Sequence, residues 1–178
     1  MRFRLCRVFS FNELVQLRRC DCQFEDSFMR IFVHRSKSDV YRDGAWVVIA
    51  KTFKRTCPYL LVQRYFVAAS FSADSEEFIF RPLVFLRSTG AYKLRGSVPL
   101  SYTRAREIVL SAFDSIGLRK PDYGLHSLRA GGASAAAHAR VPHRVFKRHD
   151  RWKSDKAKDG YIKDNFHSLL LVSLSLGI

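Results

Sequence analysis

Two runs of apolar, β-branched and aromatic residues, Phe28-Met-Arg-Ile-Phe-Val33 and Ala45-Trp-Val-Val-Ile-Ala50, are separated by the polar stretch from His34 to Gly44. This pairing predicts a β-hairpin with a long connection. Elsewhere the pattern is helical. From Ser101 onward, Ala105, Ile108, Val109, Ala112, Phe113 and Ile116 recur at spacings that line one face of an amphipathic helix ending at Gly117. Pro58 opens another helix, running through Tyr59-Leu-Leu-Val-Gln-Arg-Tyr-Phe66, because proline is tolerated in a first turn whose N–H groups have no partners. A helix is expected over about Phe11 to Arg19, and others beginning near 126, 142 and 155. Ser72 to Glu77 reads as a loop, Phe78 to Val84 as a short extended piece broken by Pro82, and Ser88 to Gly96 as a polar loop. The expected fold class is α+β: mainly α with a small antiparallel β-hairpin or sheet.

Composition narrows the class. With 178 residues, 47% of them hydrophobic, the chain can build a core, and wholesale disorder is not expected. A single domain over 1–178 is the simplest division. No apolar run approaches the roughly 20 residues needed to cross a bilayer, so no membrane partner is expected. The four cysteines (Cys6, Cys20, Cys22, Cys57) form no paired CxxC motif. That fits a reducing, intracellular compartment and gives no reason to expect zinc. Charge is more telling: 31 Lys and Arg stand against 16 Asp and Glu, a formal net charge of +15. Such a balance points to an anionic partner, above all nucleic acid. The segment from His143 to Lys153 concentrates Arg144, Lys147, Arg148, Arg151 and Lys153, which suit contacts to a DNA backbone. A solvated basic face or a nuclear-import signal is the plainer alternative.

Beside that basic run lies the candidate chemistry. His126 and Arg129 are three residues apart and share one face of a helix, so an imidazole and a guanidinium can converge on one phosphate. Arginine suits that task because its planar fork grips two oxygens. The following segment, Ala130-Gly-Gly-Ala-Ser-Ala-Ala-Ala137, is built of small residues. Its Gly pair costs helix stability and suggests close packing against backbone or substrate. Downstream, Arg151-Trp-Lys-Ser-Asp155 precedes a lone tyrosine, Tyr161, nine residues after Trp152. A tyrosine attacks a DNA phosphodiester when cations neutralise the nonbridging oxygens and an acid protonates the departing 5′-hydroxyl.

Together these residues resemble the catalytic domain of the tyrosine recombinases, or phage integrases, and most of all those of eukaryotic mobile elements, where Trp takes a position that is His or Trp in the family. The likeness runs from about Phe11 to the end. It implies a tyrosine recombinase catalytic-domain-like fold, DNA strand breakage and rejoining through a 3′-phosphotyrosine, double-stranded DNA as partner, no cofactor, and a nuclear location in a eukaryotic host. It assigns Tyr161 as nucleophile, His126 and Arg129 as the HxxR pair, and Trp152 as a buttress. Lys37, in the connection of the predicted hairpin, becomes the donor to the 5′-oxygen, and Glu13 orders neighbouring side chains. The apolar segment Leu169 to Ile178 is expected to dock on its own core or on a second copy. On this resemblance, the family's separate N-terminal DNA-clamping domain is expected to be missing from the 178 residues.

Two departures bear on activity. The family's first arginine stands three residues before the Glu of an RxxEL pattern, and here that position is Ser10, with Arg7 three residues further upstream. Asp150 stands where relatives tend to have Gly. Losing one donor to a developing oxyanion typically costs about 10²–10³ in rate. The alternative expectation is therefore a catalytically degenerate DNA-binding module, and a basic protein-interaction domain is a third. Taken one at a time, each residue has a plainer role: Tyr161 as a half-buried helix aromatic, His126 as a core histidine, Arg129 as a surface ion-pair partner, Trp152 as packing, and Lys37 as one solvated cation among Arg35 and Arg42.

Overall fold

The computed structural model describes residues 8–34, 43–163 and 170. Among these, six α-helices accompany two antiparallel sheets, as the α+β reading expects. The chain opens with α1 (Phe11–Gln16) and a 3₁₀ turn at Arg19–Asp21. A three-stranded meander follows, made of β1 (Cys22–Phe24), β2 (Phe28–Val33) and β3 (Ala45–Ala50), with β2 in the centre. The β2–β3 register pairs Phe28 with Ala50 and Val33 with Ala45, which is the hairpin the apolar runs predict. Met29, Ile31 and Val33 alternate inward and are buried, while Arg30 lies outside over the Trp46 ring. Gly44 enters β3 with φ +69°, and a Cβ there would lie 2.5 Å from the Phe32 ring, so both conformation and space require glycine.

Helix α2 (Pro58–Ala68) starts at the proline, as expected, and lays Tyr59, Val62 and Phe66 onto the sheet. With Phe9, Leu14, Leu17, Val47 and Ile79 they form the principal core. Each fully buried large side chain in it contributes about 1.5–3 kcal/mol. Tyr59 and Tyr65 donate their hydroxyls to the Glu25 and Ile79 carbonyls at 2.9 and 2.6 Å.

Two expectations need correction. Helix α1 stops at Gln16, because Leu17 turns extended and the chain there pairs with a later segment: Ile79 N–H donates to Leu17 O and Arg19 N–H to Glu77 O. The stretch read as an extended piece plus loop is a second hairpin, β4 (Leu83–Leu86) with β5 (Ala91–Leu94), exposed along nearly its whole length. The remaining chain is helical: α3 (Tyr102–Asp114), α4 (Leu125–His138), α5 (His143–His149) and α6 (Asp155–Asp159). Helix α3 packs on α4, burying Val109, Leu110 and Ala133. No helix among the described residues is long and apolar enough to cross a membrane.

Candidate active site

Four pieces of chain meet at the Arg129 guanidinium. Helix α4 carries it inward, and the side chain is only 10% exposed. Its Nη2 donates to the Asp150 carbonyl at 2.7 Å, which fixes it to the C-terminus of α5. Its Nη1 lies 3.4 Å from Glu13 Oε2, which fixes it to α1. The guanidinium also lies over two aromatic rings, 5.4 Å from Trp152 and 5.7 Å from Tyr161, a cation–π arrangement that favours a charged Arg against a flat π surface. Those rings stack on one another, 5.6 Å apart and 26° from parallel, and Phe146 of α5 meets Trp152 edge-on at 5.0 Å.

Glu13 is placed by its own helix terminus. Ser10 is the N-cap of α1: its Oγ accepts from Glu13 N–H at 3.3 Å, and Glu13 Oε2 accepts from Ser10 N–H at 2.6 Å. This reciprocal capping box satisfies two otherwise unpaired donors. It also holds the carboxylate, 7% exposed, between Arg129 and a second arginine. That second arginine is Arg151, whose Nη2 is 3.0 Å and Nε 3.2 Å from Glu13 Oε1.

The nucleophile candidate is positioned by α6. Ser154 caps this short helix, and Tyr161 N–H donates to Lys158 O at 3.0 Å. Lys158 is itself buried, with its Nζ 2.7 Å from His143 Nδ1 and 3.2 Å from Asp159 Oδ1, so α6 is tied back to α5. Beyond Tyr161, Lys163 N–H donates to Ser134 Oγ of α4 at 2.8 Å. The tyrosine thus lies between two anchored points.

His149 links α5 to the edge strand β3. Its Nε2 faces the Val48 carbonyl at 3.0 Å and its Nδ1 faces Asp150 Oδ1 at 3.3 Å. Both partners are acceptors, so full pairing needs both ring nitrogens protonated. The Asp150 hydrogen bond accordingly raises the histidine's pKa above its ordinary 6.5, against the opposing effect of burial. Among the described residues, neither Arg129 Nε nor Asp150 Oδ2, both buried, has a hydrogen-bond partner. Unpaired buried polar atoms are uncommon and call for an explanation such as a missing ligand or stored strain.

Neither a family model nor a curated protein matches this chain. Solved structures do. The XerH site-specific recombinase bound to palindromic difH substrate, in a post-cleavage complex, is 16% identical with a TM-score of 0.64, covering 95% of this chain and 42% of its own. Its pre-cleavage complex with difH superposes with a TM-score of 0.61 at 16% identity, over 96% and 44%. The Tn1549 transposon integrase in complex with a circular intermediate DNA gives 0.59 at 13% identity, over 97% and 56%.

The fold is that of a tyrosine recombinase catalytic domain. This chain spans about half the length of those solved chains or less.

Within that fold, Glu13, Arg129, Trp152 and Tyr161 come together in one cluster. His126 lies one turn before Arg129 on α4 and is exposed. Lys37 lies outside the described residues. Of the basic run, Arg144, Arg148 and Lys153 are exposed and Lys147 pairs with Asp155 at 3.4 Å. Arg151 differs from these neighbours: its side chain is 8% exposed and turned inward. Sequence reasoning put it among the surface cations and did not single out Lys158 or His143 at all. The available signal was Glu13, a carboxylate with no cation at the expected position 10.

Proposed function

We propose that this chain is the catalytic part of a tyrosine recombinase that breaks and rejoins double-stranded DNA. The observation that carries the reading is the packing of Tyr161 and Trp152 against the Arg129 guanidinium. In this scheme Tyr161 Oη gives up its phenolic proton to water as it attacks the scissile phosphorus, the bond to the 5′-oxygen breaks, and a 3′-phosphotyrosine forms. Arg129 and His126 offset the charge gathering on the nonbridging oxygens, and Lys37 gives its proton to the departing 5′-oxygen. Attack by a 5′-hydroxyl on the phosphotyrosine reverses these steps and returns the proton. The scheme consumes no nucleotide, because the phosphotyrosine retains the bond that rejoining needs, and it draws its positive charge from Arg129, His126 and Lys37 and not from a metal. Arg144, Lys147, Arg148 and Lys153 would grip the backbone without reading sequence. Copies would assemble on DNA through segment 169–178, of which Leu170 alone is among the described residues, where it is exposed.

A second reading, a DNA-binding module without strand transfer, is favoured by one observation: position 10 caps α1 and carries no cation. The two separate on nicked, half-site DNA presented as pooled random duplexes in EDTA. The recombinase reading expects a denaturant-resistant protein–DNA adduct that disappears in Tyr161→Phe. Salt-sensitive binding with no adduct would leave the module.

A further inference from the structure

Among the described residues, one tightly constrained cation is not used by the scheme above. Arg151 has φ +60°, in the left-handed region that non-glycine residues rarely adopt. Its guanidinium is nonetheless fully engaged. Nε and Nη2 reach Glu13 Oε1, Nη2 also donates to Val8 O at 3.3 Å, Nη1 donates to His149 O at 3.2 Å, and the plane lies 5.1 Å from the Phe9 ring. Backbone strain of this kind persists where the surroundings over-determine it, and it clusters at functional sites.

The charges around Glu13 give a reason. A buried carboxylate facing Arg129 alone would form a neutral pair with it, and that arginine would then have little net charge for a phosphate. With Arg151 present, the array of Arg151, Glu13 and Arg129 carries a net +1. The closer contact belongs to Arg151, at 3.0 Å against 3.4 Å for Arg129. Ser10 N–H donates to Glu13 Oε2, the oxygen facing Arg129, so the carboxylate is shared among three donors and, of the two arginines, leans more closely on Arg151. We infer that Arg151 is a positioning residue of this site: it takes up the charge of Glu13 so that Arg129 keeps its own for the scissile phosphate. It therefore answers, by a different route, the loss of a cation at position 10. This inference rests on the recombinase reading.

The test combines charge and shape at both residues, reading the salt dependence of duplex DNA binding and the yield of covalent adduct. Arg151→Met should lower the slope of log K against log salt by about 1, one phosphate contact, and cut adduct formation on the order of 10²-fold, as misplacement of a catalytic group does. Arg151→Lys keeps the charge and should hold the slope near native. Glu13→Gln added to Arg151→Met removes the carboxylate that captures Arg129 and should restore the slope. If Lys and Met fail alike, or the Gln variant rescues nothing, Arg151 is packing only and the inference is overturned while the recombinase reading stands. Should Arg151→Met be too unstable to purify, the comparison of Arg151→Lys with the double variant decides the same question. A native chain whose DNA binding does not weaken with salt would sink the recombinase reading and this inference with it.

Discussion

Ser10 Oγ and backbone N–H close the first turn of α1 around Glu13, so position 10 already has a task that an arginine side chain cannot perform. Replacing an N-cap serine costs roughly 1 kcal/mol. Ser10→Ala and Ser10→Arg should therefore both lower unfolding free energy by about that amount in urea titrations, and equal stability for the arginine variant would contradict the cap. An arginine at position 10 is thus not a clean gain of function in this chain. At this scale the sequence was partly legible. Spacing grouped His126, Arg129, Trp152 and Tyr161, and the structure brings Arg129, Trp152 and Tyr161 together across three helices and their turns. It did not find that Arg151 turns inward, since Arg148, Arg151 and Lys153 are alike in sequence and the partner Glu13 is 138 residues away.

Among the elements, α5 is joined to the edge strand β3 by His149, whose two ring nitrogens both face acceptors. A histidine whose folded pKa is raised binds its proton more tightly in the folded chain than in the unfolded one. Its stabilisation is complete below its ordinary value of 6.5 and fades as pH rises through the higher folded value. Folding stability should therefore decline across that interval above pH 6.5 in the native chain and decline less in His149→Gln. A native profile no steeper than that of the variant would refute the latch. Helix α4 offers a different check. A Cβ on Gly131 would meet nothing within 4 Å, so no packing within the described chain demands glycine there. Gly131→Ala should raise stability by about 0.5–1 kcal/mol, the difference between these residues in a helix interior, as read from the thermal or urea midpoint. An unchanged or lower midpoint would show a constraint on that face in the free protein. Elements with a clear period were legible, as in β2, β3, α2 and α3. The β4–β5 hairpin was not: Leu83 to Leu86 is a continuous apolar run exposed on both faces, so it lacks the alternation that marks a half-buried strand. Helix α1 was read too long because its end is set by pairing with residues 77–79, which local pattern cannot report.

Taken whole, the molecule sets an aromatic and ionic cluster among α1, α4, the α5–α6 turn and Tyr161, within a chain of net charge +15. The overall fold class was readable because helical and strand periods dominate the described chain, and the likeness to XerH and the Tn1549 integrase extends over nearly all of it. What the sequence left open was how Glu13 is satisfied, and that depends on a contact between the two ends of the described chain. The most direct test of the central claim is peptide mapping by mass spectrometry after reaction with nicked duplex DNA in EDTA. The account predicts a nucleotide joined through a 3′-phosphate to Tyr161, with none in the Tyr161→Phe variant. A DNA adduct on any other residue, or an adduct that survives in Tyr161→Phe, would contradict it.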